Sequence, residues 1–181
     1  MRIFCRAGRT GKGTMKAITI WQPWASLWAY GAKQFETRSW ATSYRGPIAI
    51  HAAQRQPRAV MRELPVKTQQ GIFDALYKYL DIQSGALAGL KTGAIIATAE
   101  LVGCHKIVLH GGRGMPSDAP GWLETDHGIY EPDDQELLFG DWIPGRYALE
   151  IANVKILDEP IPAKGKQRLW DWDAARAGEG R

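Results

Sequence analysis

Cysteine is scarce in this chain, and long apolar runs are absent. Cys5 and Cys104 are its two cysteines, too few for a disulfide framework in a chain of this size, so we expect reduced thiols and a cytoplasmic location. No apolar stretch reaches the ~18 residues of a membrane-spanning helix, and no membrane partner is expected. Cys104–His105 has no second ligand pair at zinc spacing, so we expect neither a metal nor another cofactor.

The chain has little net charge outside its first fourteen residues. It carries 23 basic and 19 acidic residues. Four of the basic residues lie in the first fourteen positions, which hold no acid: Arg2, Arg6, Arg9 and Lys12. Removing those four leaves 19 basic against 19 acidic residues. We expect residues 1–14 to be a flexible basic extension and residues 15–181 to form one domain.

Within the neutral remainder, the two signs of charge are separated along the chain. From Lys33 to Lys67 there are seven basic residues against Glu36 and Glu63, whereas residues 115–145 hold eight acids and no lysine or arginine. A bound polyanion would prefer the first segment and avoid the second. The acidic 115–145 loop is a candidate site for a protein partner. Ordinary scattered surface charge is the alternative.

Apolar periodicity predicts an α+β fold. Period-two patterns predict strands at residues 15–20, 33–40, 48–53, 93–109 and 145–157. Helical patterns predict helices at residues 21–31, 66–81 and 165–178. Residues 110–140, rich in glycine, proline and aspartate, are expected to form a loop or lid. The element order suggests a small mixed β-barrel with flanking helices.

A group of charged residues follows the first helix, which Gly31 is expected to close in a left-handed conformation. Glu36 and Arg38 share one face of their strand, and Lys33 at its start can project over a cavity. Glu100 stands on an otherwise uncharged strand face, so we expect Lys33 or Arg38 to be its partner. The alternatives are a surface pair for Glu36 and Arg38 and a solvated Glu100.

Further candidates are aromatic or imidazole side chains. His51, within "IAIHAA", is either an interior histidine or part of the same site. Trp21, Trp24, Trp28 and Trp40 either form a core cluster or offer stacking surface for bases beside the basic residues.

Several stretches, in their order, closely resemble the ASCH (activating signal cointegrator homology) domain family. They are "MKAITIWQPWASLWAYGAKQFETRSWATSYRGPIAIHAA", "PGRYALEIANVKIL" and "PIPAKGKQRLWDWD", and the resemblance covers nearly all of residues 15–173. The family's G-x-K-x-x-E-x-R motif is present as Gly31, Lys33, Glu36 and Arg38. The resemblance implies a PUA-like barrel with a cleft beside the first helix, and binding of RNA or of flipped or modified bases.

The resemblance also implies enzymes as relatives. Some ASCH proteins are similar to ribonucleases, and small bacterial relatives are acetylcytidine amidohydrolases thought to use a lysine, a threonine and a glutamate. Lys33 and Glu100 match the lysine and the glutamate. Glu36 stands where those relatives have threonine, and a carboxylate cannot serve as a hydroxyl nucleophile.

We therefore expect an RNA- or nucleobase-binding domain with a cationic cleft after the first helix. The aromatic rings would stack on bases, the cations would meet phosphate, and Glu36 or Glu100 would accept from an exocyclic amino group. The expected ligand contacts are Trp21, Trp24, Lys33, Glu36, Arg38, Trp40, Tyr44, Arg45 and His51. The alternatives are a hydrolase of acylated nucleosides or RNA that uses Lys33, Glu36 and Glu100, and a protein-interaction module.

Overall fold

A computed structural model describes residues 14–81, 86–109, 120–125 and 128–173. The helices are α1 (Trp24–Ala29), α2 (Pro57–Met61), α3 (Val66–Leu80) and α4 (Asp134–Phe139), with a 3₁₀ turn at Ala86–Gly89. The strands are β1 (Met15–Ile20), β2 (Phe35–Arg38), β3 (Gly46–Ala52), β4 (Ala94–Val108), β5 (Trp122–Thr125), β6 (Gly128–Tyr130), β7 (Tyr147–Pro162) and β8 (Leu169–Trp172). In these ranges, no helix is long and apolar enough to cross a membrane. Of the predicted basic extension, residues 1–14, all but the last residue lie outside the described part of the chain.

The eight strands form one mixed sheet. Its order is β2-β7-β4-β3-β1-β8, with β5 and β6 as a hairpin attached to β4. Strands β1 and β3 run parallel, and the other neighbouring pairs run antiparallel. Among the described strands, β2 and β8 are the two ends of this order and do not pair with each other. The α+β class is therefore confirmed, whereas a closed barrel is not found.

Helix α1 lies between the sheet and α3, because it is apolar on two sides. Trp28, 1% exposed, packs with β-strand residues such as Ile18 and Ile50. Leu27, on the other side, packs with Ile72 and Leu76 of α3. Burial of apolar surface stabilises the folded state by about 25 cal/mol per Å². The packing of α1 in these two clusters therefore fixes the position at which the following strand begins.

The predicted closing helix at residues 165–178 is wrong for its described part, up to residue 173. Residues 169–172 form strand β8, antiparallel to β1. Trp170 and Trp172 are buried, whereas Asp171 between them is exposed and pairs with Lys16 at 2.8 Å. This alternation has period two, and both tryptophan rings fill one apolar cluster with Ala17.

The segment predicted as a loop or lid, residues 110–140, contains regular structure. Strands β5 and β6 and helix α4 lie within it, while residues 110–119 and 126–127 are outside the described part. Asp133 caps α4 by accepting from the N–H of Glu136 at 2.8 Å. The apolar side chains Leu123 and Phe139 are buried, so the glycine, proline and aspartate between them mark turns and a helix cap.

Strand β8 leads to a stability prediction. Trp170→Ala and Trp172→Ala should each lower the free energy of unfolding by about 3–5 kcal/mol, because each removes a buried ring from the core. Asp171→Ala should cost under about 1 kcal/mol, since its ion pair is exposed. Denaturant unfolding monitored by far-UV circular dichroism measures all three. Equal losses at all three positions would contradict a strand here.

Candidate functional site

A cavity of about 620 Å³ opens between α1, β2, the α2–α3 junction and the chain that follows α4. This volume lies within the range of small-molecule sites in proteins. Its polar lining includes Lys33, Glu36, Thr37, Arg38, Asp141 and Arg146. Its apolar lining includes Trp21, Trp24, Leu64, Leu138 and Phe139.

Three charged side chains form a network at the inner end of the cavity. Lys33 Nζ donates to Glu36 Oε2 at 2.5 Å, and Arg38 Nη2 lies 3.0 Å from Glu36 Oε1. Arg38 Nη2 also donates to the Thr19 carbonyl at 3.0 Å. The side chains of Lys33 and Glu36 are 2% and 8% exposed, whereas that of Arg38 is 25% exposed. The Glu36–Arg38 pair is thus part of a buried network, not a solvated surface pair.

Local backbone geometry brings the three residues together. Gly31 follows α1 with a φ of +77°, a conformation that favours glycine because it has no Cβ. The chain then turns so that the Lys33 N–H donates to the Leu27 carbonyl at 3.0 Å. Within β2, alternate side chains point to opposite faces, so Glu36 and Arg38 share the cavity side.

The charge of Glu36 is set by competition between burial and its neighbours. Burial raises the pKa of this carboxyl, but the Lys33 ammonium and the Arg38 guanidinium together outweigh burial and leave the pKa below the ordinary value of 4.5. Glu36 is therefore an anion at neutral pH. Lys33 Nζ thus lies against a buried anion.

The cavity lining also has an aromatic and apolar part. Trp21 is 50% exposed, and the Arg55 guanidinium lies over its ring at 4.5 Å from the centroid. Trp24 is partly buried and packs against the clusters on both sides of α1. A flat ligand in the cavity would have both tryptophan rings and the charged network in its surroundings.

Two residues of α4 that the sequence reasoning missed clamp the backbone on either side of Lys33. The Gln135 side chain donates to the Ala32 carbonyl. The Glu136 carboxylate accepts from the Gln34 N–H. Glu136 is 2% exposed, and its Oε2 has no hydrogen-bond partner among the described residues. The sequence around Glu136 does not reveal its contact with Gln34, which is 102 positions away. Asp133 and Glu136 do have the spacing of a helix capping box.

Burial also governs the acidity of Glu136. Burial raises its pKa, and the Gln34 N–H and the Lys33 charge only partly oppose that effect. A buried anion without a full set of donors is costly, so the charged form of Glu136 is disfavoured in the folded protein. Glu36 and Glu136 both lie near Lys33, but the pKa of Glu36 is lowered and that of Glu136 is raised.

Glu100 does not meet Lys33, contrary to expectation. It is exposed and accepts from Asn153 Nδ2 at 2.9 Å. Glu100 lines a different cavity with Pro47 and Lys155, which includes neither Lys33 nor Arg38. In β4, Ala99 and Leu101 take the inward positions, so the pleat turns Glu100 outward. The Lys33–Glu100 pair of an amidohydrolase-like site is not formed.

Three other predicted contacts do not line the cavity. Trp40 and Tyr44 are partly buried against the core cluster beneath the sheet. The Tyr44 hydroxyl donates to the Pro47 carbonyl at 2.6 Å, and Arg45 Nη1 donates to the carbonyls of Thr42 and Tyr44. The hydrogen bonds of Tyr44 and Arg45 stabilise the turn before β3.

His51 is an interior residue, which was one of the two interpretations left open. It is 1% exposed and does not line the cavity. Its Nε2 lies 3.0 Å from the Ala163 carbonyl, and its ring meets Trp170 edge-on. Burial lowers the pKa of His51, which favours the neutral ring at neutral pH.

Cys104 and His105 also serve local contacts. Cys104 Sγ accepts from the Thr42 N–H at 3.4 Å, and His105 Nε2 lies 2.9 Å from Glu150 Oε2. Over the described part of the chain, no group of three or more histidine, cysteine or acidic side chains is arranged to hold a metal.

The network yields a prediction for Glu36. Glu36→Gln should lower the free energy of unfolding at neutral pH by about 3–5 kcal/mol, because it leaves buried Lys33 without its anion. A carboxyl whose pKa is lower in the folded protein than in the unfolded chain stabilises the fold at pH values above its unfolded-state pKa. This stabilisation is lost as the pH falls through the folded-state pKa. The deficit should therefore shrink below pH 4.5. Urea titrations at several pH values measure it.

A matched control for that substitution is Glu63→Gln. Glu63 pairs with Arg55, but its side chain is 62% exposed, so the same change should cost under about 1 kcal/mol. A deficit at Glu36 no larger than that at Glu63 would show that the buried network does not stabilise the fold.

Glu136 should show the opposite pH dependence. Its raised folded-state pKa means that the folded protein binds the extra proton, so stability falls as pH rises from 4.5 through the folded pKa. Glu136→Gln keeps an acceptor for the Gln34 N–H and removes the charge. The variant should lose this decline and be at least as stable as the parent at neutral pH. A decline in the variant as steep as that of the parent would refute the assignment.

Comparison with known proteins identifies the family of the chain. None of the curated proteins matches the chain significantly. A family model described as the ASCH domain matches residues 18–154, which is more than half of the chain and includes the Lys33–Glu36–Arg38 network. The chain therefore belongs to the ASCH domain family.

Proposed function

We propose that this ASCH domain binds RNA and takes a single nucleobase into the cavity beside α1. The observation that carries the proposal is that Trp21 and the Lys33–Glu36–Arg38 network line one cavity of about 620 Å³. A nucleobase is flat and apolar on its faces and polar on its edge, which matches a lining of this composition.

Trp21 is suited to stacking because one cation contacts its ring while much of the residue stays exposed. Half of the residue is exposed at the cavity mouth, and Arg55 lies over the ring. Stacking of a base on an aromatic side chain contributes about 1–3 kcal/mol and tolerates any base. Trp24, packed deeper against the core, closes the apolar side.

The polar wall offers both donors and an acceptor. The Lys33 ammonium and the Arg38 guanidinium are donors, and the Glu36 carboxylate between them is an acceptor. Carboxylates accept from the exocyclic amino group of cytosine, and cations donate to base carbonyls. A base edge that presents an amino group beside a carbonyl therefore fits this wall.

Charge pairing within the cavity favours a base over a phosphate. Lys33 and Arg38 contact Glu36, and Arg146 Nε lies 3.2 Å from Asp141 Oδ2. Three lining cations thus face two lining anions. A nearly balanced cavity attracts a neutral polar group, whereas a phosphate would need an excess of positive charge.

The alternatives of a hydrolase and of a protein-interaction module have less support. Lys33 lies against an anion and not against Glu100. Part of the acidic 115–145 segment is used by the fold, since Asp133 caps α4 and Asp141 pairs with Arg146. Both alternatives stay predictions without a contact that favours them.

Trp21 is the residue on which to test base binding. Trp21→Ala should weaken binding of cytidine-type nucleosides and of single-stranded RNA by about 5- to 150-fold, the equivalent of one lost stacking contact. Isothermal titration calorimetry measures nucleoside binding, and fluorescence anisotropy with labelled RNA measures the polymer. Tyr77→Ala, at an aromatic residue 62% exposed on α3 that does not line the cavity, is the matched control.

Two results would count against the proposal. The parent protein could bind neither nucleoside nor RNA at low salt, or Trp21→Ala could bind both as tightly as Tyr77→Ala.

A further inference from the structure

We propose that the phosphate backbone of the bound strand crosses α2 and the start of α3, on a row of cations outside the cavity. This inference rests on the proposed function, because it says where the polymer lies when one base occupies the cavity. The row, here named the basic ridge, consists of Arg55, Arg58, Arg62 and Lys67.

The ridge is continuous with the cavity mouth. Arg55 lies over Trp21, and Leu64 and Thr68, which flank Lys67 in the chain, line the cavity. A strand that places a base against Trp21 would therefore pass directly onto the ridge.

Helical periodicity aligns the middle of the ridge. Arg62 follows α2 with helical backbone angles, φ −62° and ψ −22°, so Arg58 and Arg62 lie one turn apart on the same side. Both are exposed, as is Lys67, while Val60 and Met61 are buried beneath them. Burial of the apolar face leaves the cationic face in solvent.

The ridge has a surplus of positive charge that the cavity lacks. Residues 54–73 contain the four ridge cations and one acid, Glu63, so their net charge is +4 − 1 = +3. Glu63 pairs with Arg55. An excess of positive charge along this stretch favours the binding of successive phosphates.

Helix α4 carries exposed negative charge at its start, where Asp133 and Asp134 lie. Asp141, after α4, lines the cavity but is paired with Arg146. Repulsion by the exposed carboxylates disfavours a path of the strand over α4. The charge of these elements therefore favours a path over α2 and α3.

The dependence of RNA affinity on salt tests the ridge. Each phosphate contact on a single strand contributes about 0.7 to the slope of log K against log salt. Arg62→Gln/Lys67→Gln should therefore lower the slope for single-stranded RNA by about 1.4 and weaken binding at low salt. Binding of the uncharged nucleoside should be unchanged, because neither side chain lines the cavity.

The matched control removes the same charge elsewhere. Lys155→Gln/Lys164→Gln replaces two exposed lysines in and after β7 that do not line the proposed cavity, and its slope should stay close to that of the parent. A DNA strand of the same sequence, run in parallel, shows whether the ridge distinguishes the two polymers. Equal slopes for RNA and DNA support a contact to phosphate alone.

Failure of the ridge differs from failure of base binding. If Trp21→Ala weakens nucleoside binding but the ridge variant and the lysine control have equal slopes, the ridge is overturned and base binding stands. If the parent binds neither ligand, both proposals are overturned. If the ridge variant loses nucleoside binding as well, the ridge is part of the cavity and the proposed division between base and phosphate is wrong.

Discussion

The Glu36 carboxylate, buried between Lys33 and Arg38, is the constraint on which the rest of the site depends. One carboxylate pairs with two cations, and without it the buried Lys33 ammonium would be desolvated without an anion, which costs several kcal/mol. It also ties the turn after α1 to β2, because Lys33 belongs to the turn and Arg38 to the strand. The apolar packing around α1 can bury this corner because its charges are already paired.

Pairing has a consequence for recognition. Cations held by an internal anion are positioned donors, which is why we propose that the cavity takes the edge of a neutral ring. The proposed phosphate contacts lie instead on the ridge of α2 and α3, where Arg62 and Lys67 are exposed. Under this proposal, contacts that specify a base and contacts that position a strand lie on different elements.

The polar part of the site was predictable where short-range rules apply. The two-residue period of a strand places Glu36 beside Arg38, and the glycine after α1 sets the turn that carries Lys33. Glu100 was misplaced because an isolated carboxylate on a strand does not reveal which face is buried. Glu136 was missed because its contact with the Gln34 N–H spans 102 positions.

The sequence by itself determined the α+β class, the helices α1 and α3, most strands and the membership of the ASCH family, because hydrophobic period and motif order are local properties. Only the tertiary structure decided that the end of the described chain is strand β8, that α4 clamps the turn around Lys33, and that the sheet order leaves β2 and β8 unpaired with each other. These features depend on contacts between distant segments, where burial and pairing energies outweigh local preference.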